Sequence, residues 1–197
     1  VIVDLNHGIY NYQGKVLWSQ IRVEDEYTLT GYRITQGWAR TNYTYFAIKF
    51  SRPVKNYGCR INNEKTYNGF WRKFNQKENF PEMGGQGLTA YFEFDLVKGD
   101  RAYADDGVLE VQVALSAVDA LGALNNLRTE MGGKSFESVL WQAQEKWNKE
   151  LSVVTIESAS GNKVLEDRRT SFYTALYHTM INPSVYQDVD GRYRGID

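Results

Sequence analysis

The stretch YTYFAIKF, residues 43–50, alternates in a way that decides the fold class. Tyr43, Tyr45, Ala47 and Lys49 fall on one side of an extended chain, and Thr44, Phe46, Ile48 and Phe50 on the other. The second set is the more apolar and is expected to point inward, as a period of two requires of a half-buried strand. Runs of the same kind lie on either side. Val1-Ile2-Val3-Asp4-Leu5 is a short apolar run, and Lys15–Val23 and Tyr27–Ile34 flank the polar turn Glu24-Asp25-Glu26, a plausible hairpin. Val54–Ile61, Leu88–Leu96 and Val108–Leu115 read as further strands, the last with Val111, Val113 and Leu115 on one side.

Two stretches resist this reading. Between Asn62 and Gly87 lies a long polar segment rich in glycine, with a short strand conceivable at Gly69-Phe70-Trp71; a loop of that length in a folded domain is usually functional or disordered. After Leu115 the period changes. Leu121, Leu124, Leu127 and Met131 recur at helical spacing, and Gly132-Gly133 supplies a stop. Ser135 is an N-cap candidate for a second helix whose apolar face is Phe136, Val139, Leu140, Ala143, Trp147 and Leu151. Ser152–Glu157 (SVVTIE) is expected to return to a strand. A third helix is expected from about Glu166 to Met180, striped by Phe172, Tyr173, Leu176, Tyr177 and Met180 and ended by Asn182-Pro183.

Strands followed by helices, with no strand–helix alternation, predict a β-rich α+β chain: an antiparallel β-sandwich followed by linker helices, not a parallel α/β sheet. Composition narrows the functions. The 197 residues carry 23 Lys and Arg against 24 Asp and Glu, a net charge of −1, which argues against a nucleic-acid partner. No apolar run approaches the roughly 20 residues of a membrane span. No charged-then-apolar leader stands at the start, so any export signal is expected upstream or already removed, and Val1 fits a missing upstream part. A single cysteine, Cys59, permits no internal disulfide. Aromatic residues reach 14%; such rings fill sandwich cores and also stack on sugars.

Chemistry-bearing motifs are sparse. The two histidines, His7 and His178, have no second ligand at zinc spacing, so His7 reads as a turn residue and His178 as a helix residue. No nucleophile elbow, phosphate loop, dinucleotide fingerprint or paired-cysteine motif is present. The most site-like segment is the last, SVYQDVDGRYRGID, residues 184–197. Asp188, Asp190 and Gly191 open like a calcium loop, but counting from Asp188 puts Gly191 at position 4, where an EF-hand needs it at 6. The simpler reading is an Asx-type turn with Arg192 and Arg194 pairing nearby acids.

The segment Ser171–Thr179 (SFYTALYHT), running on to Asp188-Val189-Asp190-Gly191-Arg192-Tyr193-Arg194-Gly195-Ile196-Asp197, resembles glycoside hydrolase family 92, the exo-acting α-mannosidases of Bacteroides-type bacteria. Val3–Gly8, Gly37-Trp38-Ala39, Tyr45-Phe46-Ala47, Asn126-Leu127 and Glu130 agree, so the resemblance covers nearly the whole chain. It implies residues 1–116 and 152–158 in an N-terminal β-sandwich, 117–151 as linker helices, and 163–197 as the start of a catalytic (α/α)6 barrel. It further implies a secreted, periplasmic or cell-surface enzyme that hydrolyses mannose-containing glycans (α-1,2 linkages foremost) with inversion and with bound calcium. The catalytic acid and base and most of the calcium ligands are expected downstream of Asp197, so these 197 residues alone are expected to be inactive. On this resemblance Asp188, Asp190, Arg192, Tyr193 and Asp197 either shape the sugar pocket or brace the sandwich against the barrel. The alternatives are a non-catalytic carbohydrate-binding sandwich, which coplanar exposed rings among Trp18, Trp38 and Trp71 would favour, and a structural module. The third helix, lacking barrel partners, is expected to lie exposed or to pack on another copy of the chain.

Overall fold

The computed structural model describes residues 1–8, 12, 14–61, 81–98, 101–102, 107–157, 161–182 and 185–195. Among the described residues ten strands precede three helices: β1 (Ile2–Asp4), β2 (Val16–Val23), β3 (Thr28–Thr35), β4 (Asn42–Phe50), β5 (Asn56–Ile61), β6 (Glu82–Gly85), β7 (Leu88–Glu93), β8 (Val97–Lys98), β9 (Arg101–Ala102), β10 (Val111–Ser116), α1 (Ala120–Met131), α2 (Phe136–Leu151) and α3 (Lys163–Met180). They fall into two compact units. One comprises residues 1–132 and 187–197, the other residues 133–186.

The first unit is built on two antiparallel sheets, ordered β10-β4-β3-β2-β6 and β1-β7-β5, beside a small β8-β9 pair. Their inner faces share one core. Ile21, Leu29, Phe46, Ile48 and Phe50 come from the larger sheet, and Tyr57, Leu88, Ala90 and Phe92 from the smaller, with Leu5 and Val54 beside them. That is a sandwich, and the expectation that Phe46, Ile48 and Phe50 face inward holds. Phe50 fixes the centre: its ring lies 5.9 Å from Phe92 and 4.7 Å, edge-on, from Phe94. Gly31 is required on this face, because a Cβ there would overlap the Phe46 ring and the Gln20 carbonyl.

The outer face of the larger sheet is covered at one end. Ala47 and Ala114 are small, which lets α1 settle on them through Ala123 and Leu127, with Leu124 alongside. The helix expected as a linker thus belongs with the sheet. Asp119 caps it, its side chain accepting from the Gly122 amide, and Gly132 closes it by donating to the Arg128 carbonyl. The strip Val111, Val113 and Leu115 behaves differently. Paired with Phe50, Ile48 and Phe46, it shares the inner face of the sheet, yet all three stay exposed on edge strand β10.

In the second unit, Ser135 caps α2 as expected, and Asn162 caps α3 by accepting from the Val164 and Leu165 amides, so that the helix begins at Lys163, three residues before the expected start. Neither helix has a buried residue among the described residues. They meet through the Trp147 and Tyr177 rings, edge-on at 4.5 Å. The strand expected at 152–157 does not form. Among the described residues its apolar, β-branched run pairs with no strand. The Tyr173 hydroxyl of α3 takes that place, donating to the Val154 carbonyl (2.9 Å) and accepting from the Ile156 amide (3.3 Å). β6, in the glycine-rich polar stretch, was not expected. The conceivable strand at 69–71 lies outside the described residues. No helix among the described residues is long and apolar enough to cross a membrane.

Candidate functional site

Residues 187–195, the most site-like segment of the sequence, belong to the sheet unit, where they fold back onto the N-terminal turn of α1. Three side chains hold them there. Asp188 is only 4% exposed. Its Oδ2 accepts from the Ser116 hydroxyl (2.8 Å), at the end of β10, and its Oδ1 from the Asn126 amide (2.9 Å), on α1. Asn126 also donates to the Leu115 carbonyl and accepts from the Val189 amide, both at 2.9 Å. One carboxylate and one carboxamide thereby tie strand, helix and loop together with both carboxylate oxygens satisfied, the condition for burying such a group at tolerable cost. Gly122 makes the approach possible, since a Cβ there would overlap Asp188 Oδ2 and crowd Ser116 Oγ.

Arg192 is the second tie. Its guanidinium reaches the N-cap Asp119 and Asp190, each at 2.8 Å. The hydrogen bond from Arg192, then that from the Gly122 amide, holds the Asp119 carboxyl below its ordinary range; Asp190 is lowered and Arg192 raised by the same cluster. The turn closes on itself, Asp188 N–H donating to the Arg192 carbonyl and Gly191 N–H to the Asp188 carbonyl, both at 2.8 Å, with Gly191 at φ 82°. Arg194 is the third tie, its guanidinium 3.9 Å from the centroid of the Tyr43 ring.

Beyond Tyr43 the outer face of the sheet carries a row of rings. Tyr43 and Tyr45 are nearly parallel, 6.3 Å apart at 15°, and Tyr32 tilts against Tyr45 at 5.7 Å. Trp18 lies across β6, where Gly84 leaves it room. Burial first, then the Tyr45 phenol, pushes the Tyr32 hydroxyl up. These rings stand side by side and cover one another, and Arg194 sits over the outermost. They form a ladder that fastens the loop, not an open platform for a sugar. Trp38 is the most open ring among the described residues, fully exposed in the turn between β3 and β4, and Trp71 lies outside the described residues.

The sequence-predicted site residues are thus distributed unevenly. Asp188, Asp190 and Arg192 brace the loop. Tyr193 is 66% exposed, and Asp197 lies outside the described residues. The supports Ser116, Asp119, Gly122 and Tyr43 were not singled out beforehand; only Asn126 was, through the resemblance. His7 is exposed just after β1, its amide donating to Asp4 Oδ1 (3.2 Å) and its carbonyl accepting from Arg33 (2.6 Å); His178 is exposed on α3. Burial pushes the Cys59 thiol up, in keeping with a packed, unreactive side chain. The acids of the clamp do not fit calcium. Asp188 spends both oxygens on Ser116 and Asn126, and Asp119 and Asp190 face Arg192. Among the described residues no group of three metal-ligating side chains is arranged around a common point.

Comparison with known proteins gives this architecture its class, that of the glycoside hydrolases. Residues 1–116 match the glycosyl hydrolase family 92 N-terminal domain, and residues 122–197 match the glycosyl hydrolase family 92 catalytic domain. The chain belongs to glycosyl hydrolase family 92. A family 92 α-mannosidase from Bacteroides thetaiotaomicron superposes with a TM-score of 0.77 at 28% identity, covering 98% of this chain and 24% of that one. Its complex with mannoimidazole gives 0.76 at the same identity, covering 98% and 23%. An inverting family 92 mannosidase of the same organism gives 0.71 at 23% identity, covering 99% and 23%. The chain therefore spans about a quarter of the length of the structures it resembles. No match was found among curated proteins.

Proposed function

We propose that this chain is the sheet-to-barrel section of a longer, inverting α-mannosidase that releases mannose from glycans, α-1,2 linkages foremost. The observation that carries this reading is the superposition on a bacterial α-mannosidase over 98% of the chain, with the two family 92 domains matched in consecutive order. Inversion needs two carboxyl groups about 6.5–9.5 Å apart, one protonating the leaving oxygen and one activating water on the opposite face of the ring. The clamp acids do not suit that work: Asp188 is sealed by two donors, and Asp119 and Asp190 are committed to Arg192. This reading assigns the acid, the base and the calcium ligands to the further catalytic-domain chain that the relatives carry, and gives this section the role of holding the loop 187–195 at the border of the sugar site. Calcium dependence and a periplasmic, secreted or cell-surface location complete this proposal; what speaks for them is the family resemblance alone.

The test uses the full-length protein and the 197-residue chain side by side on α-1,2-mannobiose, with the product anomer followed by NMR. The full-length protein is expected to release β-mannose and to lose activity on calcium chelation, while the 197-residue chain shows no turnover. Release of α-mannose as first product, or turnover by the short chain, overturns the assignment.

A further inference from the structure

The border between the two family domains does not coincide with the border between the two compact units. Residues 122–197 match the catalytic domain, yet 122–132 and 187–195 are built into the sheet unit, and the helical unit 133–186 leaves and rejoins the chain of that unit between them. The hydrogen bond to Asp188 from Ser116, the last residue matched to the N-terminal domain, crosses the family border. What fastens α1 to the sheet is mostly polar. Its apolar footprint is Ala47 and Ala114 against Ala123 and Leu127, with Leu124 partly buried. Three alanines and one leucine remove little side-chain area from water, and a helix of 12 residues depends on tertiary packing to persist.

Residues 187–195 supply the remaining hold. Asp188 accepts from Ser116 and Asn126, the Val189 amide donates to Asn126, Arg192 pairs with the capping Asp119, and Arg194 lies on Tyr43 of β4. Ser116, Asn126 and Asp188 are all buried. Without the loop, the Ser116 hydroxyl, the Asn126 carboxamide oxygen and one of its N–H groups lose their partners, and an unsatisfied buried polar group is expensive. Hydrating them requires α1 to lift. The core around Phe50 is a separate cluster, on the opposite face of the larger sheet. We propose that residues 187–195 are a strap: seated, it holds α1 on the larger sheet, and released, it lets α1 lift while the sandwich core stays folded. The start of the catalytic domain is then fastened to the N-terminal sheets by a polar clasp that opens locally. This goes beyond the mannosidase reading and stands whatever the substrate.

Hydrogen exchange of the 197-residue chain, read by mass spectrometry on peptides covering α1, β2 and β7, tests the strap. In Asp188→Ala the α1 amides are expected to exchange about 10-fold faster or more, and those of β2 and β7 to change by less than about 3-fold, the pattern of a local opening. Arg192→Leu removes the ion pairs of an exposed side chain and is expected to accelerate α1 by a smaller factor, about 3-fold. It decides the matter should Asp188→Ala not fold. Arg22→Leu, which breaks ion pairs with Glu24 and Glu82 on β2 and β6, is expected to leave α1 unchanged. Wild-type exchange of α1 in the deciding variant overturns the proposal, because the alanine and leucine packing then suffices. Equal acceleration of α1, β2 and β7, or failure of both strap variants to fold, overturns it as well, since α1 then opens only with the whole unit. So does an Arg22→Leu effect on α1 as large as that of the strap variants.

Discussion

The two units of this chain solve the burial problem differently. The sheet unit sandwiches Ile21, Leu29, Phe50, Leu88 and Phe92 to near-zero exposure and seals its outer face with α1. The helical unit leaves Phe136, Leu140, Trp141, Val164 and Phe172 exposed, and neither of its helices buries a residue among those described. Both sequences are amphipathic and both helices are well capped. Caps and propensity are worth about 1 kcal/mol each, whereas helical stability in proteins comes mainly from the packing of an apolar face. The contrast therefore separates a section with a buried core from one whose apolar helix faces lie open among the described residues.

The contrast can be broken by substitution. Phe92→Ala is expected to destabilise the sheet unit by about 3–5 kcal/mol, the range for deleting a buried aromatic side chain, while Trp141→Ala changes the stability of the 197-residue chain by no more than about 0.5 kcal/mol. Urea denaturation followed by circular dichroism reads both. Comparable losses from the two variants would mean that the helical unit has a core of its own. A smaller effect sharpens the boundary of the sheet unit. Gly122→Ala forces a methyl group onto Asp188 and Ser116 and is expected to cost about 1–3 kcal/mol, although alanine is the better helix former. Stabilisation by that change would show that the loop is not seated on α1.

The smallest effect is in the acid range. Asp119 has its folded pKa depressed, so its contribution is present above the unfolded value near 3.8 and is lost as the pH falls through the lower folded value. Asp119→Asn is expected to flatten the stability profile below about pH 4 and to leave the pH dependence between 5 and 8 unchanged. An unaltered acid limb would remove Arg192 from the clamp.

Much of this architecture was legible in the sequence, because alternation reports a half-buried strand directly. Phe46, Ile48 and Phe50 announce their face, and Ser135 and the Gly132-Gly133 pair mark helix ends. The failures share a cause: each depended on what stands opposite. Ser152–Glu157 has the composition of a strand, but without a ladder partner it settles on the Tyr173 hydroxyl. Val111, Val113 and Leu115 lie on an inward face that the smaller sheet does not cover. The best missed signal was smallness on an outward face. Ala47 and Ala114, set where a strand usually shows polar groups, were the footprint of α1. The clamp was half legible, since acids and arginines in a turn suggest pairing. That Asp188 would be sealed inside by Ser116 and Asn126 needed partners 72 and 62 residues away.

That separation has a consequence in time. Ser116 and Asn126 emerge from the ribosome well before Asp188 does, and at 5–20 residues per second the wait is roughly 3–14 s. During it the Ser116 hydroxyl and the Asn126 amide lack their carboxylate. The final turn is thus the last piece to seat, closing over β10 and α1 after both are made.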